Sequence, residues 1–130
     1  MSILNKFFGT NKEETPSEIS WRKLIDLGQL QEIETLSFEK PVLIFKHSTR
    51  CSISRFALKN FEREYDFTES ALIPYFLDLL EYRMVSSEIA NRFKVIHQSP
   101  QILIIKEGQC IYTTSHDAID ALLLKEVISN

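Results

Sequence analysis

Pro41-Val42-Leu43-Ile44-Phe45-Lys46-His47-Ser48-Thr49-Arg50-Cys51-Ser52-Ile53-Ser54 is the stretch on which the reading of this chain turns. Its first half is short, apolar, rich in β-branched and aromatic residues and preceded by a proline, which suits a buried strand better than a helix. Beyond it, apolar residues fall at Ile53, Phe56, Ala57, Phe61 and Tyr65, close to the spacing of one helix face, while Lys59, Glu62, Arg63 and Glu64 fill much of the other. The pattern predicts a strand feeding a helix over 52–65, with Cys51 at the junction. There the unpaired N–H groups and the positive end of the helix dipole favour a negative charge. A thiolate is such a charge, and Arg50 and Lys46 add positive charge nearby if their side chains turn toward the sulfur.

Ser54 lies one helical turn beyond Cys51, where a Cys-x-x-Cys oxidoreductase keeps its resolving cysteine. Serine has no thiol, so a Cys-x-x-Ser site attacks a disulfide and holds the mixed disulfide until an outside thiol finishes the exchange. The alternative is that Cys51 is a small buried hydrophobe. The local residues leave both open.

Composition narrows the classes. The chain has 130 residues, 44% of them hydrophobic with nine Phe, enough for one domain with its own core. Its formal charge is −3 and no basic stripe alternates with aromatics, which argues against a nucleic-acid partner. Two cysteines, Cys51 and Cys110, make no disulfide framework, and no Cys or His pair has zinc-ligand spacing, so no metal is expected. The first residues have neither a signal-peptide core nor a bilayer-spanning run, so we expect a cytoplasmic protein without a membrane partner, where thiols stay reduced. Residues 1–17 read as a flexible leader and 18–130 as the folded domain; Ile3, Leu4, Phe7 and Phe8 form either a frayed end or a weak docking patch.

The rest of the chain alternates. Residues 19–24 read as an edge strand with Trp21 as a packing residue, and Leu30, Ile33 and Leu36 as the face of a first helix. Residues 72–78 predict another strand with Pro74 near its start, and Ser86 or Ser87 caps a helix over 88–93. Such alternation argues for a sheet that is parallel in this half, with helices on its faces. Residues 100–106 and 109–114, joined through Glu107-Gly108, read as an antiparallel hairpin; Asp117 or Ser115 caps a last helix whose face is Ile119, Leu122, Leu123, Val127 and Ile128. Ser99-Pro100 heads the hairpin. A cis bond there would offer the backbone of Ser99 to a disulfide-linked or peptide-like ligand, whereas a trans bond makes Pro100 an ordinary strand starter.

This order, with a cysteine opening the second helix and a proline heading the hairpin, resembles the thioredoxin-like fold: α/β, with a mixed central sheet of four to five strands and helices on both faces. Within it, Lys46-His47-Ser48-Thr49-Arg50-Cys51-Ser52-Ile53-Ser54 together with Ser99-Pro100-Gln101 resembles the monothiol bacilliredoxin-like YtxJ family, linked to bacillithiol. The resemblance spans about residues 21–128. It implies that Cys51 removes bacillithiol from S-bacillithiolated client proteins, that bacillithiol is a redox co-substrate with no bound cofactor, and that Pro100 is a cis-proline. Members commonly have Pro after the cysteine, whereas this chain has Ser52, which keeps an extra N–H at the helix start. Carried over, Cys51 is the nucleophile. Thr49, Arg50 and Ser52 would line the incoming disulfide, with Ser54 a hydroxyl partner and Ser99 and Pro100 on the ligand side.

Other residues keep two readings each. His47 is a proton donor to the leaving thiol or a hydrogen-bond partner of a loop carbonyl. His97 and His116, in connecting segments, are surface or capping residues or ligands, and Cys110 is inert in a strand or a resolving thiol. Arg50 or Lys94 would meet the carboxylates of bacillithiol. Two rival functions are a non-catalytic thioredoxin-fold adaptor and an iron-sulfur carrier of the monothiol glutaredoxin kind.

Overall fold

The computed structural model describes residues 19–129, so the expected leader lies outside the described residues. The elements are β1 (Arg22–Lys23), α1 (Gly28–Leu36), β2 (Val42–His47), α2 (Ser52–Glu64), β3 (Ile73–Asp78), α3 (Arg83–Phe93), β4 (Gln101–Lys106), β5 (Gln109–Ser115) and α4 (Leu124–Ser129), the last preceded by two single-turn 3-10 segments. Five strands form one sheet in the order β1-β3-β2-β4-β5. β3 runs parallel to both β1 and β2, while β4 is antiparallel to β2 and β5 to β4.

β2 is flanked on both edges and covered on both faces, and all six of its residues are buried. That explains why it reads as a continuous apolar run rather than an alternation. Val42 and Ile44 face Leu30 and Ile33 of α1 and Val85, Ile89 and Phe93 of α3. Leu43 and Phe45 face Phe61 of α2, Ala121 and Leu124. Each large side chain so buried contributes about 1.5–3 kcal/mol. Trp21 packs here as expected, its ring 5.6–6.4 Å from those of Phe45, Phe61 and Phe76, and its Nε1 donates to Glu62 Oε2 at 2.7 Å.

Pro74 is tolerated inside the sheet for a directional reason. Ile73 N–H bonds to the Pro41 carbonyl on the β2 side, and the Phe76 carbonyl accepts from Leu24 on the β1 side. The missing N–H of Pro74 therefore faces β1, whose pairing begins only at Tyr75.

Several elements depart from expectation. The first strand pairs over two residues only, because Trp21 N–H turns back onto the Ile19 carbonyl at 2.9 Å and sends its ring inward. α3 begins a turn and a half early, at Arg83, so Ser86 is a buried interior residue and not a cap. In α2 the inward stripe is Ser54, Leu58, Phe61 and Tyr65, while Ile53 and Phe56 are exposed. The last helix is split: Asp120, not Ser115 or Asp117, accepts from Leu122 N–H at 2.9 Å, and Leu122 and Leu123 are exposed while Ala121 and Leu124 are buried. The hairpin is as expected, turning at Glu107 (φ 53) and Gly108 (φ 78). A Cβ at Gly108 would also press on the Phe38 ring at 3.3 Å.

Candidate active site

β2 delivers the chain to the sheet end where the chemistry gathers. Cys51 is the N-cap of α2, in extended conformation (φ −105, ψ 122), and its side chain caps nothing. Its N–H donates to the Ser48 carbonyl at 3.2 Å and its own carbonyl accepts from Arg55 N–H at 3.0 Å. Cys51 is half-buried and its thiol is unpaired. The small residue at the inner start of α2 is Ser54, fully buried. Its hydroxyl lies 2.8 Å from His47 Nδ1 and accepts the Ser48 N–H at 3.1 Å.

Burial pushes the His47 pKa down, opposed by the Asp78 carboxylate and reinforced by the Arg55 guanidinium, so the imidazole is neutral near pH 7. With its proton on Nε2, Nδ1 accepts the Ser54 hydroxyl proton, and a buried His47–Ser54–Ser48 chain ties strand, helix and cysteine loop together. Of the two readings of His47, the geometry shows a hydrogen-bond partner within the fold, bonded to a hydroxyl rather than a loop carbonyl. The hydroxyl of Ser54 is engaged there and not at the ligand side. Thr49, Arg50 and Ser52 are exposed around the cysteine, and Arg55 Nη1 donates to the Thr49 carbonyl at 3.3 Å.

Lys46 is not part of this cluster. Successive strand residues face opposite sides, so Lys46 emerges on the α1 and α3 face while α2 packs on the other. There it is fully buried, with Nζ 2.7 Å from His97 Nδ1. Desolvation pushes the Lys46 pKa down to about 8. It also lowers that of His97, with the Lys46 charge adding to the effect.

Ser99 and Pro100 reach the same end by register. Lys46 pairs with Gln101, so the preceding Pro100 falls beside the row of His47. The Ser99–Pro100 bond is cis. Pro100 is buried and its carbonyl accepts from His116 N–H at 3.1 Å. Gln101, quoted in the resemblance but given no role from the sequence, holds this loop: its Nε2 donates to the Ile96 carbonyl at 3.0 Å and its Oε1 accepts Gln98 N–H at 3.2 Å. A buried amide directly after a strand-heading proline was the available signal. For His97 there was none, since its partner is 51 residues away.

Cys110 stands at the other end and on the other face. It pairs with Ile105, which pairs with Val42 at the start of β2, and it packs with the α1 and α3 cluster. Four strand residues at about 3.3 Å each put it roughly 13 Å from the row of Lys46, too far for a disulfide with Cys51. Its Sγ bonds to the Tyr112 carbonyl at 3.3 Å, and burial pushes its pKa up. Among the described residues no three His, Cys, Asp or Glu side chains gather as a metal site, and no helix is long and apolar enough to cross a membrane.

A mixed sheet with helices on both faces, one cysteine at the N-cap position of the second helix and a cis-proline heading the next antiparallel strand define a thioredoxin-fold thiol protein. Solved structures agree. A protein proposed to be an oxidoreductase with a thioredoxin fold is 30% identical, with a TM-score of 0.67 and coverage of 80% of this chain and 89% of its own. Thioredoxin from Malassezia sympodialis is 21% identical (TM-score 0.66, covering 86% and 90%), and spinach chloroplast thioredoxin f in its short form 17% (TM-score 0.61, covering 82% and 88%). Residues 22–124 match the family model described as monothiol bacilliredoxin BrxC, and the chain belongs to that family. Its function is accordingly thiol redox chemistry.

Proposed function

We propose that the protein removes bacillithiol from S-bacillithiolated cysteines of cytoplasmic client proteins through a Cys51 mixed disulfide. The Cys51 thiolate attacks the bacillithiol sulfur; the Cys51–bacillithiol bond forms, the client disulfide bond breaks, and the client leaves as thiolate. A second bacillithiol then attacks, releasing oxidised bacillithiol disulfide and regenerating Cys51. The two electrons come from bacillithiol, so no bound cofactor takes part.

The observation that carries this reading is the separation of the two sulfurs. Cys51 is reachable at a helix start with a serine in the resolving position, and Cys110 is remote on the opposite face, so a small thiol must complete the cycle. Thr49, Arg50 and Ser52 surround the incoming disulfide, with Ser99 and Pro100 across from it.

Intact mass spectrometry after mixing with an S-bacillithiolated test protein checks this. Wild type and Cys110→Ser each gain one bacillithiol and release the client thiol, and Cys51→Ser gains none. Turnover lost in Cys110→Ser alone would overturn the monothiol cycle.

A further inference from the structure

Behind the cysteine loop, on the α1 and α3 face, lies a cleft of about 350 Å³ lined by Leu79, Arg83, Ser86, Ser87, Ala90 and His97. None of these residues has a part in the exchange step. The cleft is basic on two walls: Arg83 opens α3, and His97 stands opposite with the buried Lys46 ammonium behind it at 2.7 Å. Lys46 has no carboxylate partner among the described residues, and neither does Arg83. Glu88, the acid nearest along α3, is taken by Arg92 at 3.2 Å. Among the described residues the one hydrogen-bond partner of this fully buried ammonium is the His97 imidazole, which leaves much of the cost of its desolvation uncompensated.

The pairing also sets the imidazole. Lys46 donates to Nδ1 of His97, which keeps the remaining ring proton on Nε2 of a residue that lines the cleft. Arg83, His97 Nε2–H and the Ser86 and Ser87 hydroxyls then form a donor set with no acidic member. The backbone links the cleft to the cysteine loop. Leu79 N–H bonds to the His47 carbonyl at 3.0 Å, and His47 is four residues from Cys51, at most about 14 Å of extended chain.

We infer that this cleft binds the carboxylate-bearing end of the small thiol held on Cys51, with Arg83 and His97 as specificity-determining residues. The inference rests on the exchange reading proposed above, and the experiment separates the two. Two test proteins are prepared, one carrying bacillithiol and one carrying 2-mercaptoethanol, which has no carboxylate. The ratio of their kcat/KM values is measured for wild type, Arg83→Ala and His97→Ala. In parallel, malate, a small dicarboxylate that serves as the carboxylate probe, is titrated into each protein while the His97 imidazole, or in His97→Ala the backbone of α3, is followed by NMR.

The expected result is a preference for the bacillithiol client that falls about tenfold or more in Arg83→Ala, the loss of one charge-assisted contact. It comes with a saturable malate shift in wild type that Arg83→Ala loses. An unchanged ratio in both variants, or no malate shift in wild type, overturns the cleft assignment while leaving Cys51 exchange intact. Should wild type accept neither disulfide, the exchange reading falls, and the malate titration alone then decides whether the cleft is an anion site.

Discussion

The two ends of the sheet use buried polar groups differently. At the hairpin end, Ser37 closes the fold: its Oγ accepts Gly108 N–H at 2.8 Å and its carbonyl accepts Glu107 N–H at 2.8 Å, clamping the end of α1 onto the turn. At the cysteine end, Ser54 makes a similar pair of contacts, to His47 and Ser48, but the segment it clamps presents a reactive thiol. Two buried serines of like geometry thus serve a connection at one end and a site at the other. A cysteine lies near each, and only one is placed to react.

The largest effect that tests this contrast is on the cysteines. Cys51→Ser abolishes thiol transfer to below detection by intact mass, while Cys110→Ser retains it within about twofold, since nothing joins Cys110 to the reacting end. The paired serines come next. Ser54→Ala and Ser37→Ala each leave one part-buried N–H unpaired, that of Ser48 and that of Gly108, and lower stability by about 1–3 kcal/mol in denaturant titrations. Only Ser54→Ala also slows exchange by Cys51; equal kinetic loss in both variants would erase the distinction between the ends.

Lys46 supplies a smaller effect that belongs to the cysteine end alone. Its folded pKa of about 8 lies below the ordinary 10.5. Between those values the unfolded chain holds a proton that the native state has released, so this group makes stability rise with pH across that window. Below about pH 8 both states are protonated, and the full cost of burying the charge is present. Comparing Lys46→Met with wild type by thermal melts from pH 7 to 10 isolates the term: the variant is at least as stable at pH 7, and its advantage shrinks as pH rises. An advantage that grows with pH would contradict the burial argument.

The smallest effect lies at the hairpin turn, where Glu107 adopts φ 53. Glu107→Asn relieves this positive φ and raises the thermal midpoint by a few degrees with no change in exchange.

Element types were legible where signals are local. The strand before Cys51, the helix after it and the Glu107-Gly108 hairpin follow from runs of about six residues and from turn chemistry. Helix faces were less so. Ile53 and Phe56 matched the helical period, yet the inward stripe starts at Ser54, because a hydroxyl held by buried His47 competes with apolar spacing in fixing the helix's rotation. The start of α3 was missed for a similar reason: the serines read as caps sit inside the helix, with Ser86 N–H already bonded to the Tyr82 carbonyl.

The sequence by itself determined the order of the elements, the placement of Cys51 at a strand-to-helix junction and the serine in the resolving position, since each depends on neighbours along the chain. Only the tertiary structure decided that Lys46 turns away from the sulfur toward His97 and that Cys110 stands at the far end and on the far face. It also decided that Pro100 comes beside the row of His47. Those outcomes depend on strand register and on which face of the sheet each residue meets, and both are set by packing between segments distant in the chain.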